Sequence, residues 1–281
     1  MAILIDGKAV SQKVKDEVRA EIERDGLKVG LAVVIVGNDQ ASRVYVNNKK
    51  KACEVCGIRS FEYALPEETT EKELLDLVDT LNKDPEVNGI LVQLPLPKHL
   101  DEPEACSRLR AEKDVDGVTD GSLAGVFTGS GEGFPPCTAQ AVLEILDHYG
   151  VTLRGKRAVV AGRSLVVGRP AAMLLMQQGA TVTICHSATE DMPSVTRQAD
   201  ILVCAVGKKG FFGAEHIAPG QTLIAVGIHY DEETGRLCGD VRFDEAEPLA
   251  AAITPVPGGV GAVTTAVLVS HVTEAAMRMN A

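Results

Sequence analysis

The chain has 281 residues, which exceeds the roughly 150 of one typical domain and indicates two domains or one large one. With 45% hydrophobic and 24% charged residues it has enough apolar material for a buried core, which argues against disorder. The net charge of -11 and the pI near 5.1 disfavour phosphate backbones and anionic lipid surfaces, so neither nucleic acid nor a membrane is expected as a partner.

The amino terminus, "MAILIDGKAV", has an aspartate where the apolar core of a signal peptide would continue. Uninterrupted apolar runs also stay below the roughly 18 residues needed to cross a bilayer. We therefore expect a soluble cytoplasmic protein.

Strands and helices alternate over the first third of the chain. "LKVGLAVVIVG" (27–37) is a β-branched apolar run ended by glycine, which predicts a buried strand. A helix, a strand, a second helix and a strand follow, over residues 39–57, 58–65, 69–84 and 87–97. Four apolar residues share one face of the second helix: Leu74, Leu77, Val78 and Leu81. The alternation predicts βαβ units and a mainly parallel sheet.

Seven cysteines, an odd number, do not form a secreted disulfide framework. Cys53 and Cys56 form a lone C-x-x-C in "KACEVCG". Zinc would need two more ligands, and a redox role would need the first cysteine at a helix start rather than near a helix end. We expect two small residues at the end of a packed helix, and no metal site.

Residues 101–137 are rich in glycine and aspartate, and we expect an irregular segment that is functional or linking. Alternation then resumes with a helix over 138–150 and strands over 156–162, 180–185, 199–206 and 221–228, and the last helix is predicted over 262–279. The domain boundary is expected near residue 138.

"VVAGRSLVVGRPAA" (159–172) predicts a strand, a glycine turn and a helix. A dinucleotide site needs backbone N–H groups and a helix dipole facing the pyrophosphate. Here Gly162 ends the strand, Arg163 and Ser164 offer a cation and a hydroxyl, and Gly168 begins the helix. Because the glycines do not follow G-x-G-x-x-G, a merely structural turn is an equal alternative.

The strand after this turn bears on the choice of cofactor. NAD sites usually place an acid about 20 residues after the first glycine, whereas NADP sites offer cationic or hydroxyl groups instead. "ATVTIC" is followed by His186 and Ser187, with no acid before Glu190. Arg163 could add a bidentate contact to the 2′-phosphate, so the sequence favours NADP. A helix cap would explain His186 and Ser187 equally well.

Tyr45 and Lys49 are four residues apart and share one face of a predicted helix. A phenol and an amine side by side can hold a bound molecule and move a proton. The same Y-x-x-x-K spacing occurs in short-chain dehydrogenases, but there it follows the nucleotide glycines, whereas here it precedes them. A solvated basic helix face with Lys50 and Lys51 is the alternative.

Three further segments suit the same pocket. Gln93 ends a predicted parallel strand, where open α/β sheets bind ligands, although it could simply cap the strand. Asp116 in "KDVDG" could accept N–H groups of a planar heterocycle, although aspartate before glycine usually makes a turn. "TPVPGGVG" (254–261) suits close backbone approach to a flat ligand, or a hinge.

Together these segments resemble a known family. "ASRVYVNNKKKACEVCGI", "GILVQLPLP", "KDVDG", "PPCTA", "GRSLVVGRP", "ATVTICHSAT" and "ITPVPGGVG" look like the signature segments of the bifunctional methylenetetrahydrofolate dehydrogenase/methenyltetrahydrofolate cyclohydrolase family, in the family's order and over nearly the whole chain. The resemblance implies oxidation of 5,10-methylenetetrahydrofolate with NADP⁺, then hydrolysis to 10-formyltetrahydrofolate, in one-carbon metabolism and purine biosynthesis. It also implies a homodimer.

The resemblance further implies a role for each matching residue. Lys49 is the key group of the cyclohydrolase step, Tyr45 positions it and the folate, and Gln93 tunes it. Asp116 holds the pteridine, which completes the catalytic set. The implied substrate-binding residues are Tyr45, Lys49, Val92, Gln93, Leu94, Asp116, Pro257, Gly258, Gly259, Val260 and Gly261. The implied cofactor contacts are Gly162, Arg163, Ser164, Ser187 and Ile228.

The chain departs from the family pattern at three places. Ala139 stands where proline usually follows "PCT", and Ala225 where the family has the aspartate of "VIDVG". Ala262 and Val263 replace the proline and methionine that usually follow "PGGVG". These changes bear on rates, cofactor preference and domain closure.

The expected fold is α/β with two domains and a cleft between them that holds both ligands. Residues 1–138 and 262–281 would form the folate-binding catalytic domain, and residues 139–261 a Rossmann-like NADP domain. The alternatives are an enzyme with only one of the two activities and a silent folate- or nucleotide-binding paralogue. Loss of Lys49 or of the glycine loop would mark the paralogue, and both are present.

Overall fold

The computed structural model describes residues 2 to 280, apart from the side chain of Ala41. These residues form two compact units, each built from two stretches of chain. The first unit takes the residues up to Ser11 and Thr138–Thr264, and the second takes Gln12–Cys137 and the residues from Thr265 onward.

Strands and helices alternate along most of the described chain. The strands are β1 (Ile3–Leu4), β2 (Gly30–Val36), β3 (Arg59–Leu65), β4 (Gly89–Val92), β5 (Arg157–Ala161), β6 (Thr181–Cys185), β7 (Ile201–Cys204), β8 (Thr222–Ala225), β9 (His229–Asp231), β10 (Arg236–Cys238) and β11 (Ala252–Ile253). The α-helices are α1 (Gly7–Asp25), α2 (Gln40–Cys56), α3 (Glu71–Lys83), α4 (Glu102–Ser107), α5 (Asp120–Thr128), α6 (Cys137–His148), α7 (Gly168–Gln177), α8 (Met192–Thr196), α9 (Phe243–Ala246) and α10 (Val260–Asn280).

The first unit is built on a parallel sheet of six strands in the order β1-β11-β8-β7-β5-β6. β7 and β8 are buried at every residue, as expected for central strands of a parallel sheet with both faces covered. The antiparallel pair of β9 and β10 stands outside this sheet. The prediction of parallel βαβ units is confirmed here.

The first strand joins the six-stranded sheet through its neighbour β11. Ile3 lies opposite Ala252, and Leu4 lies opposite Ile253. The residues up to Ser11 therefore group with the first unit, whereas the predicted boundaries place them in the folate-binding half. Two residues are too short a run to read as a strand from sequence, because pairing rather than propensity defines them.

The second unit contains a parallel sheet of three strands in the order β3-β2-β4. All seven residues of β2 are buried, which confirms the buried strand predicted over 27–37. Leu74, Val78 and Leu81 of α3 are buried in the core beside this sheet. Thr70 and Glu73 form a capping box before α3, so the helix starts at Glu71, two residues later than the predicted start at residue 69.

Residues 101–137 are more regular than predicted, since α4 and α5 occupy much of them. Asp101 caps the amino-terminal end of α4 by accepting a hydrogen bond from the Glu104 amide at 3.0 Å. Thr119 begins α5 in the same way, accepting from the Ser122 amide at 3.1 Å. Side-chain caps thus stabilise short helices in a segment whose glycine content suggested a loop. The sequence patterns also did not predict β1, α1, α8, β9, β10, α9 or β11.

The last helix is long and apolar. By length and mean hydropathy, α10 is the one helix within residues 2–280 that could cross a membrane, which a search for uninterrupted apolar runs did not reveal. In the structure, 61% of its apolar window is buried within the protein. That burial is typical of a core helix.

Candidate active site

Lys49 and Gln93 are in direct contact in the second unit. Lys49 lies on α2, and Gln93 directly follows β4. The Lys49 Nζ donates a hydrogen bond to the Gln93 Oε1 at 3.1 Å. The Gln93 Nε2 donates to the Leu94 carbonyl at 2.7 Å, which turns the side-chain oxygen toward the lysine. The two side chains are half-buried, and the adjoining Val92 is buried.

The helix that carries Lys49 is fixed at both ends. Asp39 precedes it and accepts a hydrogen bond from the Ser42 amide at 2.7 Å. Gly57 ends it in the left-handed conformation with φ of 79°, a geometry that favours glycine. Tyr45 lies one turn before Lys49 and is 55% exposed, so its phenol is accessible to a ligand. The predicted helix over 39–57 is confirmed.

Asp116 and Lys49 both act electrostatically on one buried cysteine, Cys137. Cys137 is 4% exposed, and its thiol donates to the Val115 carbonyl at 3.3 Å. Burial raises the pKa of this thiol well above its ordinary value, and the charge of Asp116 and a hydrogen bond with it raise the pKa further. The charge of Lys49 acts in the opposite direction. The charges of the two predicted catalytic residues therefore act in opposite directions on the pKa of one thiol.

The other aspartate of "KDVDG" is a buried structural group that the sequence analysis missed. Asp114 has no exposed surface, and its Oδ2 accepts hydrogen bonds from the Thr119 amide at 2.8 Å and the Ser122 hydroxyl at 2.7 Å. Its Oδ1 accepts from the Val118 amide at 3.1 Å. These bonds close the loop that contains Asp116, which fixes the backbone of the predicted pteridine contact.

His271 on α10 completes the surroundings of Cys137. Its Nδ1 lies 2.9 Å from the Val115 carbonyl oxygen and 3.8 Å from the Cys137 sulfur. Burial lowers the pKa of His271 below its usual range, although the Val115 carbonyl opposes that shift. A lone histidine in an apolar helix gives no functional signal in the sequence, so this contact was not predicted.

In the first unit, the carboxyl ends of four strands align at one edge of the sheet. Ala161 lies opposite both Cys185 and Cys204, and Cys204 lies opposite Ala225. The loops after β5, β6, β7 and β8 therefore leave the sheet side by side. Open α/β sheets bind their ligands at this edge.

The glycine turn after β5 has the conformation that its residues predict. Gly162 has φ of 140°, and a Cβ there would lie 2.3 Å from the Ala205 carbonyl oxygen. A Cβ on Gly168, the first residue of α7, would lie 2.2 Å from the Gly162 oxygen. Ser164 Oγ accepts from the amides of Val167 and Gly168 at 3.2 and 3.4 Å. Only glycine allows this close approach of backbones, as a dinucleotide-binding turn requires.

The side chains predicted to recognise a 2′-phosphate are accessible to solvent. Arg163 and Ser187 are both exposed in the loops after β5 and β6. The turn after β6 is held by His186, whose Nδ1 accepts from the Ala188 amide at 3.2 Å, and by Thr189, whose Oγ1 accepts from the His186 amide at 2.9 Å. These turn contacts leave the Ser187 hydroxyl on the surface. The residues of this edge fit a phosphorylated dinucleotide.

The loop of residues 257–261 lies in the first unit beside a predicted cofactor contact. A Cβ on Gly261 would lie 2.8 Å from the Cδ1 of Ile228. Gly258 has φ of 102°, and its carbonyl accepts a hydrogen bond from the Gly7 amide at 2.9 Å. A Cβ on Gly7 would collide with Gly259, 2.1 Å from its oxygen. The first residue of α1, Gly7, therefore packs directly against the backbone of Gly258 and Gly259 in this loop.

The departures from the family pattern occupy packed positions. Ala139 and Val263 have no exposed surface, and Ala225 is 2% exposed. The Ala225 amide donates to the Thr254 hydroxyl at 2.7 Å. The Ala262 amide donates to the Gly259 carbonyl at 3.0 Å, which extends the start of α10. The sequence departures are thus accommodated without disrupting these elements.

The C-x-x-C pair is part of a packed helix. Cys53 and Cys56 are free thiols with no exposed surface near the end of α2, as the sequence predicts. Burial raises the pKa of Cys53 to about 12. No group of three or more His, Cys, Asp or Glu side chains within residues 2–280 is placed to hold a metal ion.

The fold and the two groups of residues define a class of protein. One unit has the glycine turn and strand edge of a dinucleotide-dependent α/β enzyme, and the other has an amine hydrogen-bonded to a side-chain amide. Residues 136–280 match the family model of the tetrahydrofolate dehydrogenase/cyclohydrolase NAD(P)-binding domain, and residues 5–116 match that of its catalytic domain. The chain belongs to the tetrahydrofolate dehydrogenase/cyclohydrolase family, as its sequence resemblance predicts.

Relatives match over nearly their whole length. The bifunctional protein FolD of Agathobacter rectalis is 48% identical over 281 residues, which cover 99% of this chain and 100% of that protein. The crystal structure of the bifunctional FolD of Campylobacter jejuni matches with a TM-score of 0.95 at 42% identity, covering 99% of each chain. The Trypanosoma brucei enzyme, complexed with NADP cofactor and an inhibitor, matches with a TM-score of 0.91 at 39% identity, covering 99% of this chain and 98% of that one.

Proposed function

We propose that this chain oxidises 5,10-methylenetetrahydrofolate with NADP⁺ and hydrolyses the methenyl product to 10-formyltetrahydrofolate. The hydrogen bond of 3.1 Å from Lys49 to Gln93 carries the proposal, because it holds an amine in place within the stretch that matches the catalytic domain. The bifunctional name of the Agathobacter rectalis relative and the NADP complex of the Trypanosoma brucei relative support it.

In the hydrolysis, water adds to the cationic carbon between two folate nitrogens and loses a proton. The bond from that carbon to one of the two nitrogens then breaks, and the released nitrogen takes up a proton, which leaves the formyl group on the other. Lys49 moves a proton at that centre, and Gln93 fixes the direction of its amine. Tyr45, one helical turn earlier, positions the lysine and the folate. Asp116 accepts N–H groups of the pteridine, a role that a carboxylate suits because it is an acceptor only.

In the oxidation, the methylene carbon lies between the same two nitrogens, whose lone pairs stabilise the cation left as hydride departs. Bound NADP⁺ supplies the hydride acceptor. The protein then needs no strong base and mainly aligns its ligands. Val92, Leu94 and residues 257–261 line the folate, and Gly162, Ser164 and Ile228 contact the cofactor.

The preference for NADP⁺ over NAD⁺ is assigned to two exposed side chains. Arg163 presents a guanidinium and Ser187 a hydroxyl at the same strand edge, and no acid occurs between them and Glu190 on the second loop. A guanidinium binds a phosphate through two parallel hydrogen bonds, whereas the 2′-hydroxyl of NAD⁺ offers no such charge.

The catalytic residues that act on the folate are assigned to the second unit, and NADP binding is assigned to the first. We further assign the chain to the cytoplasm as a homodimer that supplies 10-formyl groups for purine biosynthesis. Ultracentrifugation of the purified protein measures the dimer directly.

The first experiment is the initial rate of NADP⁺ reduction with 5,10-methylenetetrahydrofolate, repeated with NAD⁺, beside a separate assay of methenyltetrahydrofolate hydrolysis. Reduction that favours NADP⁺, together with hydrolysis, supports the proposal. Hydrolysis without reduction by either cofactor would contradict the dehydrogenase assignment and leave a cyclohydrolase. Reduction without hydrolysis would contradict the role given to Lys49.

A further inference from the structure

Asp240 is a fully buried carboxylate that no predicted function uses. It lies in the first unit, two residues after β10, with no exposed surface. Its Oδ2 accepts hydrogen bonds from the Val206 amide at 2.8 Å and the Gly207 amide at 3.0 Å. Its Oδ1 lies 2.6 Å from the Nε2 of His229. Burying a carboxylate is costly unless its oxygens find donors, and here both oxygens have them.

The three donors lie on the two chain segments that follow β7 and β8 at the strand edge described above. Val206 and Gly207 follow β7, and His229 is the first residue of β9, four positions after the end of β8. The backbone before His229 lies directly against the carboxylate, since a Cβ on Gly227 would be 2.0 Å from Oδ1 of Asp240. One buried side chain therefore ties the exit of β7 to the exit of β8.

Both loops also contact residues assigned to the cofactor. The carbonyl oxygen of Ala205, next to Val206, is the atom that a Cβ on Gly162 would meet at 2.3 Å. Ile228, next to His229, is 44% exposed and lies against Gly261. Asp240 itself is closed off from solvent, so it acts on a ligand only through these loops.

We propose that Asp240 and His229 are positioning residues for the dinucleotide: their hydrogen-bonded pair holds residues 205–207 and 227–228 in the geometry that receives NADP. The inference rests on the proposed use of NADP by this unit. An imidazole N–H at Nε2 of His229 suits this contact, because a carboxylate oxygen is a hydrogen-bond acceptor. A fixed loop binds its ligand without a further entropy cost of ordering, so loss of the pair weakens binding.

The test compares Asp240→Asn with Asp244→Asn in the full-length protein. Asp244 is exposed, so its substitution makes the same charge change outside the buried network. Equilibrium binding of NADPH is measured by fluorescence titration, and amide hydrogen exchange is measured without cofactor. Hydrolysis of methenyltetrahydrofolate is assayed on the same samples, because its assigned catalytic residues lie in the second unit, so retained hydrolysis reports that this unit is folded.

Asp240→Asn is expected to weaken NADPH binding by at least about tenfold, the scale of one hydrogen bond to a charged group. Protection of the Val206 and Gly207 amides against hydrogen exchange should fall. The hydrolysis rate should stay within about twofold of wild type, a smaller change than the loss of one hydrogen bond to a charged group would cause. Asp244→Asn should leave all three measurements unchanged.

His229→Gln and His229→Ala supply the second comparison. A glutamine amide can donate to Asp240 from nearly the same place as Nε2, so His229→Gln should retain NADPH binding, whereas His229→Ala should weaken it.

NADPH binding by Asp240→Asn within about twofold of wild type, well below the roughly tenfold effect of losing one hydrogen bond to a charged group, would overturn the inference. A parallel loss of binding, of hydrolysis and of amide protection throughout the first unit would also overturn it, since Asp240 would then support the whole unit. Wild-type protein that binds no NADPH would instead contradict the proposed function.

Discussion

The amine of Lys49 donates a hydrogen bond of 3.1 Å to the side-chain oxygen of Gln93, joining α2 to the end of β4. The two residues are 44 positions apart in the chain. Their contact follows from the parallel pairing of β2 with β4, which brings the carboxyl end of β4 beside the helix that follows β2. The bond gives the lysine one orientation, which proton transfer to a bound molecule requires.

Lys49→Met should reduce methenyltetrahydrofolate hydrolysis by about a hundredfold or more, the contribution typical of a positioned general acid or base. Methionine has similar length but no proton to move. Lys51→Met is the matched control, since Lys51 is exposed on the same helix and should tolerate the change. Cyclohydrolase rates of both purified variants measure the effect, and full activity in Lys49→Met would rule out this role.

Gln93→Leu should lower hydrolysis by removing the acceptor that orients Lys49. A single hydrogen bond to a charged group corresponds to roughly tenfold or more in rate. Because Gln93 acts through Lys49, adding Gln93→Leu to Lys49→Met should cause little further loss. A double-mutant cycle on the hydrolysis rate measures this, and fully additive losses would show that the glutamine acts independently.

Sequence patterns predicted conformation better where residues lie within one element than where they meet through the fold. Tyr45 and Lys49 share a helix face and the Gly162 turn follows its strand, as local spacing predicted, but the roles assigned to these residues rest on the family resemblance. The contact of Cys137 with His271 joins residues 134 positions apart. Hydrophobic periodicity carries no information about such a pairing, because it depends on how α10 packs in the core.

The fold shows the same distinction. β2 was predicted because it is a continuous apolar run, whereas β1 exists only through its pairing with β11. In "KDVDG", Asp114 and Asp116 look equivalent in sequence. Burial separates them, since Asp114 has no exposed surface and accepts from three donors, whereas Asp116 is half-buried.

Arg163→Ala should reduce the preference for NADP⁺ over NAD⁺ while leaving the NAD⁺ reaction nearly unchanged. The lost guanidinium would have bound the 2′-phosphate, which only NADP⁺ carries, so the KM for NADP⁺ should rise by about tenfold or more. Arg157→Ala is the control, because Arg157 is an exposed arginine at the opposite end of β5. The ratio of kcat/KM for the two cofactors is the measurement, and an unchanged ratio would count against the assignment.

Stability should fall as the pH drops below about 6.5, the ordinary pKa of histidine. Burial lowers the pKa of both His271 and His216 in the folded protein. Below pH 6.5 the unfolded chain therefore binds protons that the folded chain does not, which favours unfolding. Each histidine can contribute at most about 1.4 kcal/mol per pH unit, until the pH reaches its lowered folded pKa. Denaturant unfolding between about pH 7.5 and 5.5, a range that spans the ordinary pKa, measures the slope. His271→Gln and His216→Gln should each make the slope of unfolding free energy against pH shallower. Slopes equal to wild type would show that these histidines do not cause the loss of stability.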